Sequence, residues 1–147
     1  MIQDAISTSV GLVYIIPVIL FFYTSDPVHL KALFGPLLGV TNEIIKHSIG
    51  KYSTRPECKR PVGAMDCNMW CNNGDQSGKP GMPSGHSLTA CFFSGFYFQQ
   101  MDNIWIKLML IMYAWLIMAS RYIKKCHTIP QIMIGGLIGL FFSVIIF

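Results

Sequence analysis

Two stretches of the chain carry no charged side chain, Ala5 to Ser25 and Thr128 to Phe147. Each is close to the ~20 residues that an α-helix needs to cross a ~30 Å hydrocarbon core. Three weaker apolar stretches lie between them, at about residues 30–49, 84–100 and 104–120, the last interrupted by Lys107. The final run offers no polar face that a helix of a water-soluble bundle would turn outward. The pattern therefore predicts an all-α, polytopic transmembrane bundle of five helices in one domain, residues 1–147.

Turn signals set the boundaries. Thr24-Ser25-Asp26-Pro27 closes the first helix, and Asp102-Asn103 separates the third from the fourth. The second runs from Leu30 to about Gly50, with a kink predicted at Gly35-Pro36. The third begins near Ser84, the fourth ends near Ser120, and the fifth begins around His127. The first run lacks a basic leader and a small-residue cleavage site and contains Pro17, so it reads as a retained helix. Between helices two and three lies a polar stretch, Lys51 to Met82, rich in Gly, Pro, Asn and Cys. That is too long for a simple connection and predicts a functional loop with short local structure.

Composition supports the membrane reading: 52% of the 147 residues are hydrophobic and 12% charged, and the mean hydropathy is positive. The formal net charge of +4 is concentrated in two places. Lys46, Lys51, Arg55, Lys59, Arg60 and Lys79 lie in or beside the long loop, and Arg121, Lys124 and Lys125 follow helix four. A nucleic-acid site would need such charges along a groove with interleaved aromatics, and it would leave the apolar spans unexplained. An anionic head group at a bilayer surface is the better match. Of the five cysteines, Cys91 falls in an apolar helix and reads as core. Cys58, Cys67 and Cys71 share the loop, and Cys126 precedes His127. The loop trio allows a disulfide with one thiol left over, three free thiols, or zinc held with a histidine.

Alternating crossings bring the polar motifs together. Helix two ends at the long loop and helix three leaves it; helix four returns to the same face and helix five departs from it. His86, Arg121, His127 and the loop therefore share one side of the membrane. In Pro83-Ser84-Gly85-His86, Ser84 can cap the following helix, whose first N–H groups form an anion cradle with Gly85 permitting close approach. His86 in the first turn is placed to exchange a proton with a bound phosphate. Arg121 offers a planar fork for phosphate oxygens, and His127 an imidazole nitrogen able to attack phosphorus. Singly, each has an ordinary reading as a helix cap, an interfacial histidine or a positive flank. Together, in order and on one face, they point to phosphoryl chemistry.

These motifs resemble the type-2 phosphatidic acid phosphatase superfamily, whose pattern is Lys-x6-Arg-Pro, Pro-Ser-Gly-His and Ser-Arg-x5-His-x3-Asp. The second is complete at Pro83-Ser84-Gly85-His86, and the third stands as Ser120-Arg121-x5-His127. Asn42-Glu43, Gly81-Met82, and His127-Thr128 with Gln131 look like the dolichyl-diphosphatase branch. The first motif departs from the pattern, because neither Arg55-Pro56 nor Arg60-Pro61 has a lysine at the family spacing. Lys46 with Arg60 is the favoured pair, with Lys51 and Arg55 as alternatives. Gln131 stands where most members have Asp; its amide oxygen can still fix an imidazole tautomer, without the charge.

The resemblance implies a core of up to six helices and a membrane-embedded, metal-independent and cofactor-independent hydrolase of a lipid phosphate or diphosphate. Lys46, Arg60, Arg121, Ser84 and Gly85 would bind the phosphate. His127 would attack it, and His86 would protonate the leaving group and then activate water. A dolichyl-diphosphatase likeness implies a membrane of the endoplasmic-reticulum type. A fold retained only for head-group binding or transport, and a phosphatase of soluble esters, are the competing expectations.

Overall fold

The computed structural model describes residues 1–53 and 55–147, with the side chains of Ile49, Lys51 and Tyr52 outside the described set. Among the described residues the chain is helical, without a named strand. The first rod is nearly continuous: α1 (Ile2–Thr8) passes through one 3-10 turn into α2 (Leu12–Thr24), which ends with Ser25 in the left-handed conformation, φ 58°. A four-residue helix, α3 (Val28–Lys31), precedes α4 (Phe34–Tyr52). The bundle is completed by α5 (Gly85–Gln100), α6 (Ile104–Ile123) and α7 (Ile129–Ile146).

Two differences from the sequence reading bear on the site. The predicted kink at Gly35-Pro36 is a full break a few residues earlier, between α3 and α4, and Pro36 sits in the first turn of α4. There its missing N–H has no intrahelical partner to lose, so proline is tolerated without a bend. The last helix starts at Ile129, with Thr128 and Gln131 forming a reciprocal capping box. His127 is thereby left in the corner between α6 and α7.

The rod Ile2–Thr24 and helices α6 and α7 are each long and apolar enough to cross a membrane. Their outward residues, Trp105, Trp115, Leu137 and Phe141 among them, are exposed in the isolated chain, as lipid-facing residues must be. Helix α5 is shorter, at 16 residues, and ten of them are buried. It is the axis of the bundle, packed against α4, α6 and α7. A helix surrounded by protein needs no continuous apolar surface, which is why Ser87, Thr89 and Ser94 are accommodated there.

Helices α5 and α7 touch backbone to backbone. A Cβ on Gly139 would lie 2.2 Å from the Leu88 carbonyl oxygen, and one on Gly135 would lie 2.4 Å from that of Ser84. Only glycine permits that approach, as in other small-residue helix crossings inside bilayers. The crossing fixes the start of α5 against the start of α7, which are the two ends that carry His86 and His127.

The long loop folds back on itself. Bridges join Lys59 to Pro80 and Met65 to Asp75, and Arg60 N–H donates to the Lys79 carbonyl at 2.8 Å. At its tip, Asn73 Oδ1 accepts from the N–H groups of Cys67 and Asn68. A disulfide from Cys67 to Cys126 fastens this tip to the corner beside His127. Neither the loop pairing nor the zinc trio considered from sequence is present: Cys67 is taken by Cys126, while Cys58 and Cys71 are free thiols. Cys91 is buried in the core. A disulfide spanning 59 residues restricts a large unfolded loop and typically stabilises a fold by about 2–4 kcal/mol.

Candidate active site

The first rod, α4, the start of α5 and the anchored loop line a cavity of about 550 Å³, with His127 at the corner before α7. Lys46, Arg60, Gly85, His86 and His127 line it together, with Glu43, His47 and Lys79. Charged and imidazole residues separated by up to 84 positions thus converge on one space.

Gly85 and His86 enter from the N-terminus of α5. Ser84 caps that helix: its hydroxyl oxygen accepts from Ser87 N–H at 3.4 Å and from the Ser87 hydroxyl at 3.0 Å. Its own N–H donates to the Gln131 carbonyl, which ties the caps of α5 and α7. Ser84 is fully buried behind the cavity wall, so its visible contacts are those of a cap. His86 Nε2 is buried with no hydrogen-bond partner among the described residues. An orphaned imidazole nitrogen in a cavity lined by cations marks a place where a polar ligand would complete the bonding.

His127 is buried and held from both sides. Gln131 Nε2 donates to the carbonyls of Glu57 and Lys59, each at 2.8 Å, which fixes the amide orientation. Its Oε1 then accepts from Thr128 N–H and faces His127 Nδ1 at 3.2 Å. The network assigns the proton to Nδ1 and leaves a lone pair on Nε2. Arg60 Nη1 faces that lone pair at 3.2 Å and also donates to the Cys126 carbonyl at 3.0 Å. Burial, reinforced by the charges of Arg60, Arg121 and Lys46, holds the His127 imidazole well below its ordinary value. It is therefore neutral, with Nε2 unprotonated. A carboxylate in place of the Gln131 amide would confront two carbonyl oxygens, so the amide is matched to the loop it anchors.

Of the alternatives for the first motif, Lys46 and Arg60 reach the cavity, whereas Arg55 is exposed on the loop. The Lys51 side chain lies outside the described residues. Lys46 is buried and ion-paired with Glu43, one turn before it on α4. Glu43 was legible only as part of a family likeness; its spacing from Lys46 on a helix could have flagged the pair.

Arg121 differs from expectation. Its fork does not line the cavity: Nη1 donates to the Ser7 hydroxyl and Nη2 to the Cys67 carbonyl at 2.5 Å, and the residue is fully buried. Nε has no partner among the described residues. Ser7 lies in a charge-free run read only as a membrane helix, so nothing there singled out a polar contact with α6.

The cavity can hold an anion against Lys46, Arg60 and a helix N-terminus, with the imidazoles of His86 and His127 both in its lining. No curated protein and no solved structure matches the chain. The family model of the PAP2 superfamily does match, over residues 29–147. That stretch holds every charged and imidazole side chain of the cavity, and the chain belongs to the PAP2 superfamily.

Proposed function

We propose that this integral membrane protein is a phosphatase of lipid phosphates or diphosphates working through a phosphohistidine on His127. Members of the superfamily are generally phosphoric-ester hydrolases. The observation that carries the finer reading is the state of His127: buried, neutral, its Nδ1 proton directed to Gln131 and its Nε2 turned toward Arg60.

In the first step the Nε2–phosphorus bond forms as the bond to the leaving oxygen breaks, and His86, protonated once the bound anion offsets the burial and cations that otherwise hold it neutral, gives that oxygen a proton. Lys46, Arg60 and the α5 N-terminus at Gly85 take up the charge of the transferring phosphoryl group. In the second step His86, now neutral, takes a proton from water as its oxygen attacks phosphorus, and the N–P bond breaks. The binding residues supply the cationic charge themselves, so the reaction is proposed to need neither metal nor cofactor. Gln131 has a structural use for its amide, so its departure from aspartate does not argue for a fold retained only for binding.

A lipid substrate is favoured over a soluble ester by the cavity's other wall. Val10 and Tyr14 of the first rod face Pro36, Gly39 and Val40 of α4 across it, and Val40 is exposed on the apolar exterior. An acyl or prenyl chain lying there would place its head group among the cations. The likeness at Asn42-Glu43, Gly81-Met82 and Gln131 makes polyprenyl diphosphate the first candidate and phosphatidate the second. Phosphate release should be fastest from the diphosphate, slower from polyprenyl phosphate and phosphatidate, slowest from a soluble ester, and unchanged by chelator. Chelator-sensitive release, or preference for the soluble ester, counts against the reading.

The disulfide bears on sidedness. Structural disulfides persist in oxidising compartments, so the loop face is proposed to lie away from the cytosol, in a membrane of the endoplasmic-reticulum type. Counting basic residues gives the opposite answer, but the cavity lysine and arginine are accounted for by the anion they would bind. An N-glycosylation acceptor grafted at the loop tip should be modified in microsomes. Cleavage of a protease site grafted there, by protease added on the cytosolic side of sealed microsomes, would reverse the assignment.

A further inference from the structure

The family match begins at residue 29, yet the guanidinium of Arg121 is gripped by a residue that precedes it. Ser7 on α1 is fully buried and accepts from Arg121 Nη1, while the Cys67 carbonyl accepts from Nη2 at 2.5 Å. Two more contacts dock this part of the first rod on α6 and its C-cap. Lys124 Nζ meets Asp4 Oδ1 at 2.5 Å, and the Tyr113 hydroxyl donates to the Ser9 carbonyl at 3.3 Å.

Both acceptors on Arg121 are neutral, and among the described residues no carboxylate forms an ion pair with it. The positive charge is therefore fixed in position without being neutralised. A guanidinium has five N–H groups in a rigid plane. With Nη1 and Nη2 restrained at the outer end, the edge that includes Nε is the part left without a partner. Restraining a rotamer-rich arginine before the anion arrives removes an ordering cost that binding would otherwise carry.

We propose that Ser7 is a positioning residue for phosphate binding. Together with the Cys67 carbonyl it clamps the outer nitrogens of Arg121, reserving the Nε edge for the anion, so the first helix completes the site from outside the matched stretch. The proposal rests on the reading of Arg121 as a phosphate-binding residue: it stands directly behind the cavity wall, its carbonyl accepting from His127 N–H at 3.3 Å and its Nη2 holding Cys67 of the lining, and the anion would engage it through Nε.

The test uses the full-length chain in detergent micelles, with calorimetric binding of inorganic phosphate as the first readout and KM against kcat for a lipid phosphate as the second. Losing a hydrogen bond that holds a charged group predicts roughly tenfold weaker phosphate binding in Ser7→Ala. KM should rise more than kcat falls. Ser7→Thr keeps the hydroxyl and should bind like wild type, and Asp4→Asn, which removes the neighbouring ion pair, should leave phosphate affinity unchanged. If Ser7→Ala fails to fold, Ser7→Cys, of nearly the same volume but a poor acceptor, asks the same question. Wild-type phosphate affinity in the Ala or Cys variant overturns the proposal. So does a loss in Ser7→Thr equal to that in Ser7→Ala, or an equal loss in Asp4→Asn. Because binding is read without turnover, a Ser7-dependent phosphate site in a protein that releases no phosphate would sink the phosphatase reading and leave this one standing.

Discussion

Replacing His127 with alanine is expected to reduce phosphate release from any lipid phosphate to background, a loss on the order of 10⁴-fold or more in kcat, because a nucleophile has no partial substitute. The wild-type protein, quenched during turnover of a ³²P-labelled substrate, should carry an acid-labile, base-stable label, and His127→Ala should carry none. Retained turnover in that variant would remove the covalent step. The pH dependence follows from the same environment. Burial and the neighbouring cations depress the His127 value, so in the free protein the imidazole stays neutral well below the ordinary 6.5. An acid limb of kcat/KM assigned to this residue should thus lie below that value. Arg60→Gln removes a positive neighbour, raises the imidazole's proton affinity and should move the limb to higher pH, along with weaker binding. A limb that stays in place would mean another group controls it.

His86→Ala should cost about 10²–10⁴-fold in kcat on a lipid substrate, the range for loss of a general acid. The loss should be far smaller in the phosphorylation step with an aryl ester such as p-nitrophenyl phosphate, whose leaving oxygen carries its own negative charge. Hydrolysis of the phosphoenzyme would still lack its base, so labelled His127 should accumulate in His86→Ala fed the aryl ester. An equal loss of labelling on both leaving groups would show that His86 acts on position or folding instead of on the proton.

Much of the architecture was readable because the bilayer imposes simple length and polarity rules. Charge-free runs located the first and last rods, and counting crossings put His86, Arg121, His127 and the loop on one face. The Gly85–His86 turn and the capping of α5 by Ser84 were legible because helix termini leave N–H groups that particular side chains satisfy. The break before α4 was misplaced because Gly35-Pro36 was read without knowing that the helix begins there.

What the sequence by itself determined is the local and one-dimensional part: which segments are apolar enough to be helices in lipid, where they end, and which side chains bear phosphoryl chemistry. The tertiary structure alone decided partnership. It joined Cys67 to Cys126, chose Arg60 for the cavity over Arg55, gave the Gln131 amide two carbonyls to hold, and turned Arg121 toward Ser7. These contacts link residues up to 114 positions apart. No local periodicity encodes such pairs; they follow from how closely α5 and α7 can approach at Gly135 and Gly139 and from where the loop is fastened.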